Sequence, residues 1–113
     1  MPAIMQLQLE RYVDEIKKIY GNHLKAVILY GSYARGDFRA DSDVDIMILV
    51  DLTDMELKRY RHQLSEMTYD FNEEYDLDVK PIAKSNEHFQ KWVSAYPFYK
   101  NVKKEGVLLY GAA

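Results

Sequence analysis

The 113-residue sequence predicts a single α/β domain over residues 1–113, with a small mixed β-sheet of three to four strands flanked by helices. Short, continuous apolar runs predict strands that are buried on both faces. Longer segments with apolar residues at helical spacing alternate with these runs. The hydrophobic content of 48% suffices for a packed core, and the length is typical of one domain. The elements follow in the order α-β-β-α-β-α-α-β, without a linker or repeat.

Four segments carry apolar residues at intervals of three and four, which predicts four amphipathic helices. Their expected ranges are about 5–20, 53–74, 85–95 and 97–105. The second of these helices begins with Thr53-Asp54-Met55-Glu56, which has the T-x-x-E form of a capping box. The last begins at Pro97, a favoured first helical residue, and ends at Gly106.

Two continuous apolar runs, Lys25–Gly31 and Val44–Val50, predict buried strands. Residues Tyr75–Ile82 alternate charged and apolar side chains, which predicts a third strand with one polar face. Pro81 within this segment suits a strand end or an edge strand. Val107–Tyr110 is expected to close the sheet.

The charge of the chain is unevenly distributed, which bears on its partners. Residues 1–79 contain 16 acidic and 9 basic residues, a net charge of −7, whereas residues 80–113 contain 6 lysines and 2 glutamates, a net charge of +4. An acidic body argues against broad nucleic-acid binding and suits a site for divalent cations. Lys100, Lys103 and Lys104 form either a solvated helix face or a contact for an acidic partner or RNA.

The sequence contains no cysteine, which excludes disulfides and a thiol nucleophile. It contains no apolar run long enough to cross a membrane, and its start lacks the pattern of a secretory signal. We therefore expect a cytoplasmic protein that does not contact membranes.

One stretch carries most of the functional information. Gly31-Ser32 ends the first buried strand, and ten residues later Asp43-x-Asp45 opens the second. Residues i and i+2 of a strand face the same way, so the two carboxylates point together. They repel each other unless a cation lies between them, and Mg²⁺ favours a site of carboxylates and substrate phosphates.

The turn at Gly31-Ser32 complements this pair. Glycine permits close approach of a ligand to the backbone, and a helical turn that starts near Ser32 offers N–H groups and a hydroxyl to phosphate oxygens. Arg35 and Arg39 are close enough in sequence to add charge-assisted contacts. A third carboxylate is expected on the polar face of the third strand, to complete a two-metal site. The candidates are Asp76 and Asp78, and either could reach.

The spacing of Gly31-Ser32 and Asp43-x-Asp45 matches the G-S-x10-D-x-D signature of the DNA polymerase beta-type nucleotidyltransferase superfamily. The stretch Gly-Ser-Tyr-Ala-Arg-Gly-Asp that starts at Gly31, and the later Ser-Asp-Val-Asp, resemble its minimal (MNT) branch, whose members are stand-alone domains of about this length. The resemblance covers essentially the whole chain, including Glu105-Gly106-Val107 near its end.

The resemblance implies a nucleotidyltransferase fold and an enzyme that uses ATP and two Mg²⁺ ions to transfer AMP. It implies that Asp43, Asp45 and Asp78 are the metal ligands and catalytic carboxylates. Gly31 and Ser32 would bind the β- and γ-phosphates of the nucleoside triphosphate.

It further implies that the chain is the antitoxin of a toxin–antitoxin pair, and that it AMPylates a tyrosine of a co-encoded HEPN-type toxin. Two other functions stay open. One is an inhibitor that acts by binding alone and has a vestigial nucleotide site. The other is a transferase that modifies a small molecule.

Overall fold

A four-stranded mixed sheet forms the centre of the computed structural model, which describes residues 2–112. The strands are β1 (Leu24–Tyr30), β2 (Val44–Val50), β3 (Val79–Ser85) and β4 (Val107–Gly111). Their spatial order is β3-β2-β1-β4. β1 is antiparallel to both β2 and β4, whereas β2 and β3 are parallel. The predicted fold class is therefore confirmed, and the four strands follow in the predicted order along the chain, with a short helix inserted between β1 and β2.

The helices are α1 (Ala3–Tyr20), α2 (Ser32–Arg35), α3 (Asp54–Leu57), α4 (Arg61–Tyr75), α5 (Asn86–Trp92) and α6 (Pro97–Glu105). None of them, within residues 2–112, has the length and apolarity needed to cross a membrane.

Both faces of the sheet are covered, as the continuous apolar runs predict. One face packs on α1 and α4 through a cluster that includes Leu9, Tyr12, Val27, Ile46 and Phe71. The other packs on α5 and α6 through Ile28, Met47, Phe89, Tyr99 and Val102. Because β1 and β2 are central, each of their side chains enters one of the two cores, apart from polar positions at the strand ends.

The predicted helix over 53–74 is interrupted. The capping box is present: Glu56 N–H donates to Thr53 Oγ1 at 3.2 Å, and Thr53 N–H donates to Glu56 Oε1 at 3.0 Å. A 3₁₀ turn over Lys58–Tyr60 then separates α3 from α4. The prediction of one continuous helix was wrong, because the spacing of apolar residues does not reveal a 3₁₀ turn of this kind. Within the turn, the ring of Tyr60 packs against that of Tyr20 of α1, with a distance of 5.1 Å between the ring centroids.

The third strand begins four residues later than the predicted Tyr75–Ile82, at Val79. Tyr75 ends α4, and Asp76 caps the helix in the left-handed conformation, with φ 52°. The side chain of Asn72 then binds the backbone of Val79, with its Oδ1 accepting from N–H at 2.9 Å and its Nδ2 donating to C=O at 3.2 Å. Asp76 and Asp78 therefore do not share a strand face as predicted, because both precede the strand.

Pro81 lies in the middle of β3, opposite Ile46, and β3 is an edge strand of the sheet. The prediction of an edge position is confirmed, since a proline that lacks an N–H donor is tolerated where no further strand pairs.

Candidate active site

Most of the predicted motif residues line one cleft of about 390 Å³. The cleft lies where β1 ends and β2 begins, between α2 and α6. It is lined by Gly31, Ser32, Arg35, Asp43 and Asp45 of the motif, by Tyr30 and Ser42 beside them, and by Phe98, Asn101, Val102 and Glu105 of α6. A larger groove of about 850 Å³ between α1 and α4 contains none of the motif residues, so the smaller cleft is the candidate site.

Gly31 brings the backbone against Asp45. Its φ of 78° and ψ of −155° lie where L side chains are rarely found. A methyl group at this position would overlap Oδ2 of Asp45 and lie 3.2 Å from its Cγ. The helical turn predicted near Ser32 is present as α2, which begins at Ser32. Glycine is therefore required here by backbone conformation and by close packing on a candidate catalytic side chain.

Asp43 and Asp78 meet at the start of β2. Val44 N–H donates to the backbone carbonyl of Asp78 at 2.9 Å, which aligns the residue before β2 with the residue before β3. The carboxyl group of Asp78, followed by Lys80, lowers the pKa of Asp43, whereas the carboxyl group of Asp43 raises that of Asp78. The two acidic groups are therefore close enough to influence each other's ionisation.

Lys80 supplies the positive charge nearest to this pair. Its Nζ lies 3.2 Å from Oδ2 of Asp43 and 3.9 Å from Oδ2 of Asp78. The hydrogen bond and charge of Asp43, followed by the charge of Asp78, raise the pKa of the Lys80 ammonium. Sequence reasoning missed this residue as part of the site. Lys80 reaches the site through the parallel register that pairs it with Asp45, and this register is not apparent from the sequence.

Asp45 is the most enclosed carboxylate of the site. Burial raises its pKa above the usual range, and the negative charge of Asp43 adds to the rise. It is paired in register with Tyr30, whose own pKa is raised to about 12 by burial and by the charge of Asp45. An acidic group that is costly to ionise inside a cleft is typical of a functional position.

The carboxylates of Asp43, Asp45 and Asp78 are chemically suited to bind magnesium. Carboxylate oxygens are the ligands that Mg²⁺ prefers. The pKa values of Asp45 and Asp78 are both raised, in part by the negative charge of Asp43, which indicates a concentration of negative charge here. Within residues 2–112, no three acidic or histidine side chains converge closely enough to enclose an ion in the present conformation. Asp43 and Asp78 are together, Asp45 lies deeper in the cleft, and Asp76 is an exposed helix cap.

The two arginines of the motif lie differently. Arg35 is at the cleft, where its Nη1 donates to Glu105 Oε1 and its Nε donates to Asp37 Oδ2, both at 3.2 Å. Arg39 is exposed and is absent from the cleft lining, and its N–H donates to the Ser42 hydroxyl at 2.7 Å.

Glu105 belongs to a segment that resembles the minimal nucleotidyltransferases, but the sequence alone does not assign it to the site. It ends α6 and orients Arg35 across the cleft, leaving the guanidinium Nη2 without a partner among residues 2–112.

The fold and the cleft agree with the features expected of a nucleotidyltransferase domain, and the comparison with known families identifies the class. The nucleotidyltransferase domain family matches residues 9–109 of this chain. The chain belongs to that family, and the predicted enzyme class is confirmed.

Its relatives agree with this assignment. A Methanocaldococcus jannaschii protein, provisionally named as a protein adenylyltransferase, is 32% identical over 102 residues, which cover 90% of this chain and 94% of the relative. A second protein of that organism with the same provisional name is 34% identical over 74 residues, 66% of this chain and 73% of the relative.

Solved structures show the same fold at low identity. A chain described as a minimal nucleotidyltransferase superposes with a TM-score of 0.57 at 18% identity, covering 95% of each chain. A chain of a toxin–antitoxin complex with AMP-PNP gives 0.57 at 20% identity, covering 91% of this chain and 73% of the other. A chain from a complex of a tri-AMPylated Shewanella oneidensis HEPN toxin with its MNT antitoxin gives 0.54 at 19% identity, covering 95% and 73%.

Proposed function

We propose that this nucleotidyltransferase transfers AMP from ATP to a hydroxyl group of a protein acceptor. The observation that carries the proposal is the placement of Gly31-Ser32 and of Asp43 and Asp45 in one cleft. Asp78 lies beside it, where its backbone carbonyl accepts from Val44 N–H and its side chain is near Lys80, as is that of Asp43. This chemistry needs a phosphate-binding backbone beside metal-binding carboxylates, and the nearness of Gly31-Ser32 to Asp43 and Asp45 supports the proposal.

The carboxylates would hold two Mg²⁺ ions, with Asp43, Asp45 and Asp78 as ligands. Magnesium, when bound, neutralises the carboxylates and stabilises negative charge on the triphosphate and on the leaving pyrophosphate. Lys80, which contacts Asp43 and Asp78, would be displaced from them or would turn toward the phosphates.

The remaining groups position the nucleotide. Gly31 and Ser32 would bind the β- and γ-phosphates through backbone N–H groups and the Ser32 hydroxyl. Arg35, oriented by Glu105, would add a charge-assisted contact through its free Nη2. Arg39 is exposed away from the cleft lining, so its predicted phosphate contact requires a movement of the loop before β2.

The acceptor oxygen forms a bond to the α-phosphorus of ATP, and the bond from that phosphorus to the oxygen bridging the β-phosphorus breaks. Pyrophosphate leaves with the electron pair of the broken bond. The proton of the acceptor hydroxyl passes to a carboxylate, for which Asp78 is placed at the edge of the site.

The acceptor is proposed to be a tyrosine of a co-encoded HEPN-type toxin, with this chain as the antitoxin. Support comes from relatives named for protein adenylyltransfer, and from fold neighbours solved as toxin–antitoxin complexes, one with an AMPylated HEPN toxin. The cleft has an open mouth beside α6, and a protein surface could complete it. Such an ATP-dependent reaction would take place in the cytoplasm.

The test is incubation with α-labelled ATP, Mg²⁺ and the protein encoded by the adjacent gene. We expect label on that protein, lost when Mg²⁺ is chelated and lost with Asp43→Asn. Asp76→Asn is the matched control, because it removes an equivalent carboxylate outside the cleft. Equal labelling by Asp43→Asn would overturn the proposal. If Asp43→Asn still neutralised the partner in cells, inhibition by binding alone would replace it.

A further inference from the structure

We infer that a groove beside α6 docks an acidic polypeptide segment of the acceptor, next to the residue that receives AMP. This inference rests on the proposed protein-acceptor function and deepens it. The groove encloses about 570 Å³ and is lined by Val93, Ser94, Lys100, Asn101, Lys103 and Lys104. We refer to it as the lysine groove.

The lysine groove adjoins the active-site cleft. Asn101 lines both cavities, the groove together with Lys100, Lys103 and Lys104 and the cleft together with Asp43 and Asp45. A segment lying in the groove would therefore lie beside the cleft.

The lysines of the groove carry charge that no carboxylate in the described part of the chain neutralises. Within residues 2–112, no carboxylate lies within 4.0 Å of the ammonium groups of Lys100, Lys103 and Lys104. All three side chains are exposed. Glu105, the only carboxylate on α6, is bound to Arg35 instead. The groove thus presents an unpaired positive surface beside an acidic cleft.

The charge of the rest of the chain indicates which class of anionic polymer can bind in the lysine groove. Residues 1–79 have 16 acidic and 9 basic side chains, a net charge of −7. An extended nucleic acid would have to pass this acidic body, whereas a short acidic peptide can stay within the groove. The charge distribution therefore favours a polypeptide with a local cluster of carboxylates.

The helix that carries these lysines is anchored in the core. α6 is anchored by Tyr99 and Val102, which are 4% and 0% exposed. At its first turn Phe98 is 44% exposed, and its ring packs edge-on against Tyr30. An aromatic surface at the mouth of the cleft and lysines further along the helix provide both apolar and ionic contacts for one bound segment.

The experiment measures binding without ATP, by fluorescence anisotropy of a labelled copolymer of glutamate and tyrosine. We expect wild-type protein to bind it, and the triple variant K100E/K103E/K104E to bind at least about ten-fold more weakly at low salt. The control K58E/R59E/R61E makes the same change in net charge at residues outside the groove and should weaken binding by less than about two-fold. Both variants should retain wild-type affinity for a fluorescent ATP analogue, which shows an intact fold and cleft.

Three results would overturn the inference: no binding of the copolymer by wild type, equal losses in the two triple variants, or tighter binding of a single-stranded RNA of similar length through the same lysines. A copolymer of lysine and tyrosine, which should not bind, excludes recognition of tyrosine alone. Because no ATP is present, the result can be read whether or not AMP transfer is observed. Failure of the proposed function is therefore distinguishable from failure of this inference.

Discussion

Replacement of Gly31 by alanine tests the link between the turn and the carboxylate behind it. The added methyl group would overlap Oδ2 of Asp45 and lie 3.2 Å from its Cγ, so the carboxylate must move by about 1 Å to restore normal contact. A misplacement of that size in a catalytic group costs on the order of 100-fold in rate. The backbone conformation itself, with φ 78° and ψ −155°, adds a strain of roughly 1–3 kcal/mol when glycine is absent.

Gly36→Ala is the matched control. Gly36 also has a positive φ, 85°, but a methyl group there meets no atom within 4 Å. It should lose roughly 1–2 kcal/mol of stability from left-handed backbone strain. We expect Gly36→Ala to retain near wild-type AMP transfer and Gly31→Ala to lose about 100-fold, measured with α-labelled ATP on samples matched for folded fraction.

A double-mutant cycle separates strain from collision. In an Asp45→Ala background the methyl group of Gly31→Ala has no carboxylate to displace, so its cost to the free energy of unfolding should fall to the backbone part alone. Equal activity of Gly31→Ala and Gly36→Ala, or no coupling between residues 31 and 45, would refute the reasoning.

Three further variants test the site and the core. Asp45→Asn should abolish transfer yet raise the melting temperature. Because the folded-state pKa of Asp45 is raised, the stability of wild type relative to the variant should fall as pH rises from about 4 toward 7. Thermal melts of both proteins across that pH range check the sign of this difference. Glu105→Gln should weaken binding of a fluorescent ATP analogue by about two- to five-fold, because it removes the ion pair that orients Arg35. Unchanged or tighter binding would show that Glu105 does not position Arg35 for the nucleotide. Phe89→Ala should destabilise the fold by about 3–5 kcal/mol in urea unfolding, since Phe89 is fully buried between α5 and the sheet; a loss below 1 kcal/mol would contradict that packing.

The parts of the site that lie close together in sequence could be predicted from it. Gly31-Ser32 and Asp43-x-Asp45 flank one loop, and the period of two in a strand is enough to aim both carboxylates the same way. The apolar runs of β1 and β2 could be recognised because each strand contributes to two cores.

The parts that depend on long-range packing could not be predicted. Lys80 reaches Asp43 because β3 pairs in parallel with β2, and Glu105 reaches Arg35 because α6 packs beside β1. The start of β3 was predicted too early because residues 76–80 alternate like a strand. A left-handed helix cap at Asp76 and the hydrogen bonds of the Asn72 side chain override that alternation.

The central claim is that the cleft transfers AMP rather than phosphate or nothing at all. Parallel reactions with α-labelled and γ-labelled ATP, Mg²⁺ and the adjacent gene product test it most directly. We expect the α-label to be retained on the acceptor protein and the γ-label to be released as pyrophosphate, with both signals absent for Asp43→Asn. Retention of the γ-label on the acceptor, or no difference between wild type and Asp43→Asn, would contradict it.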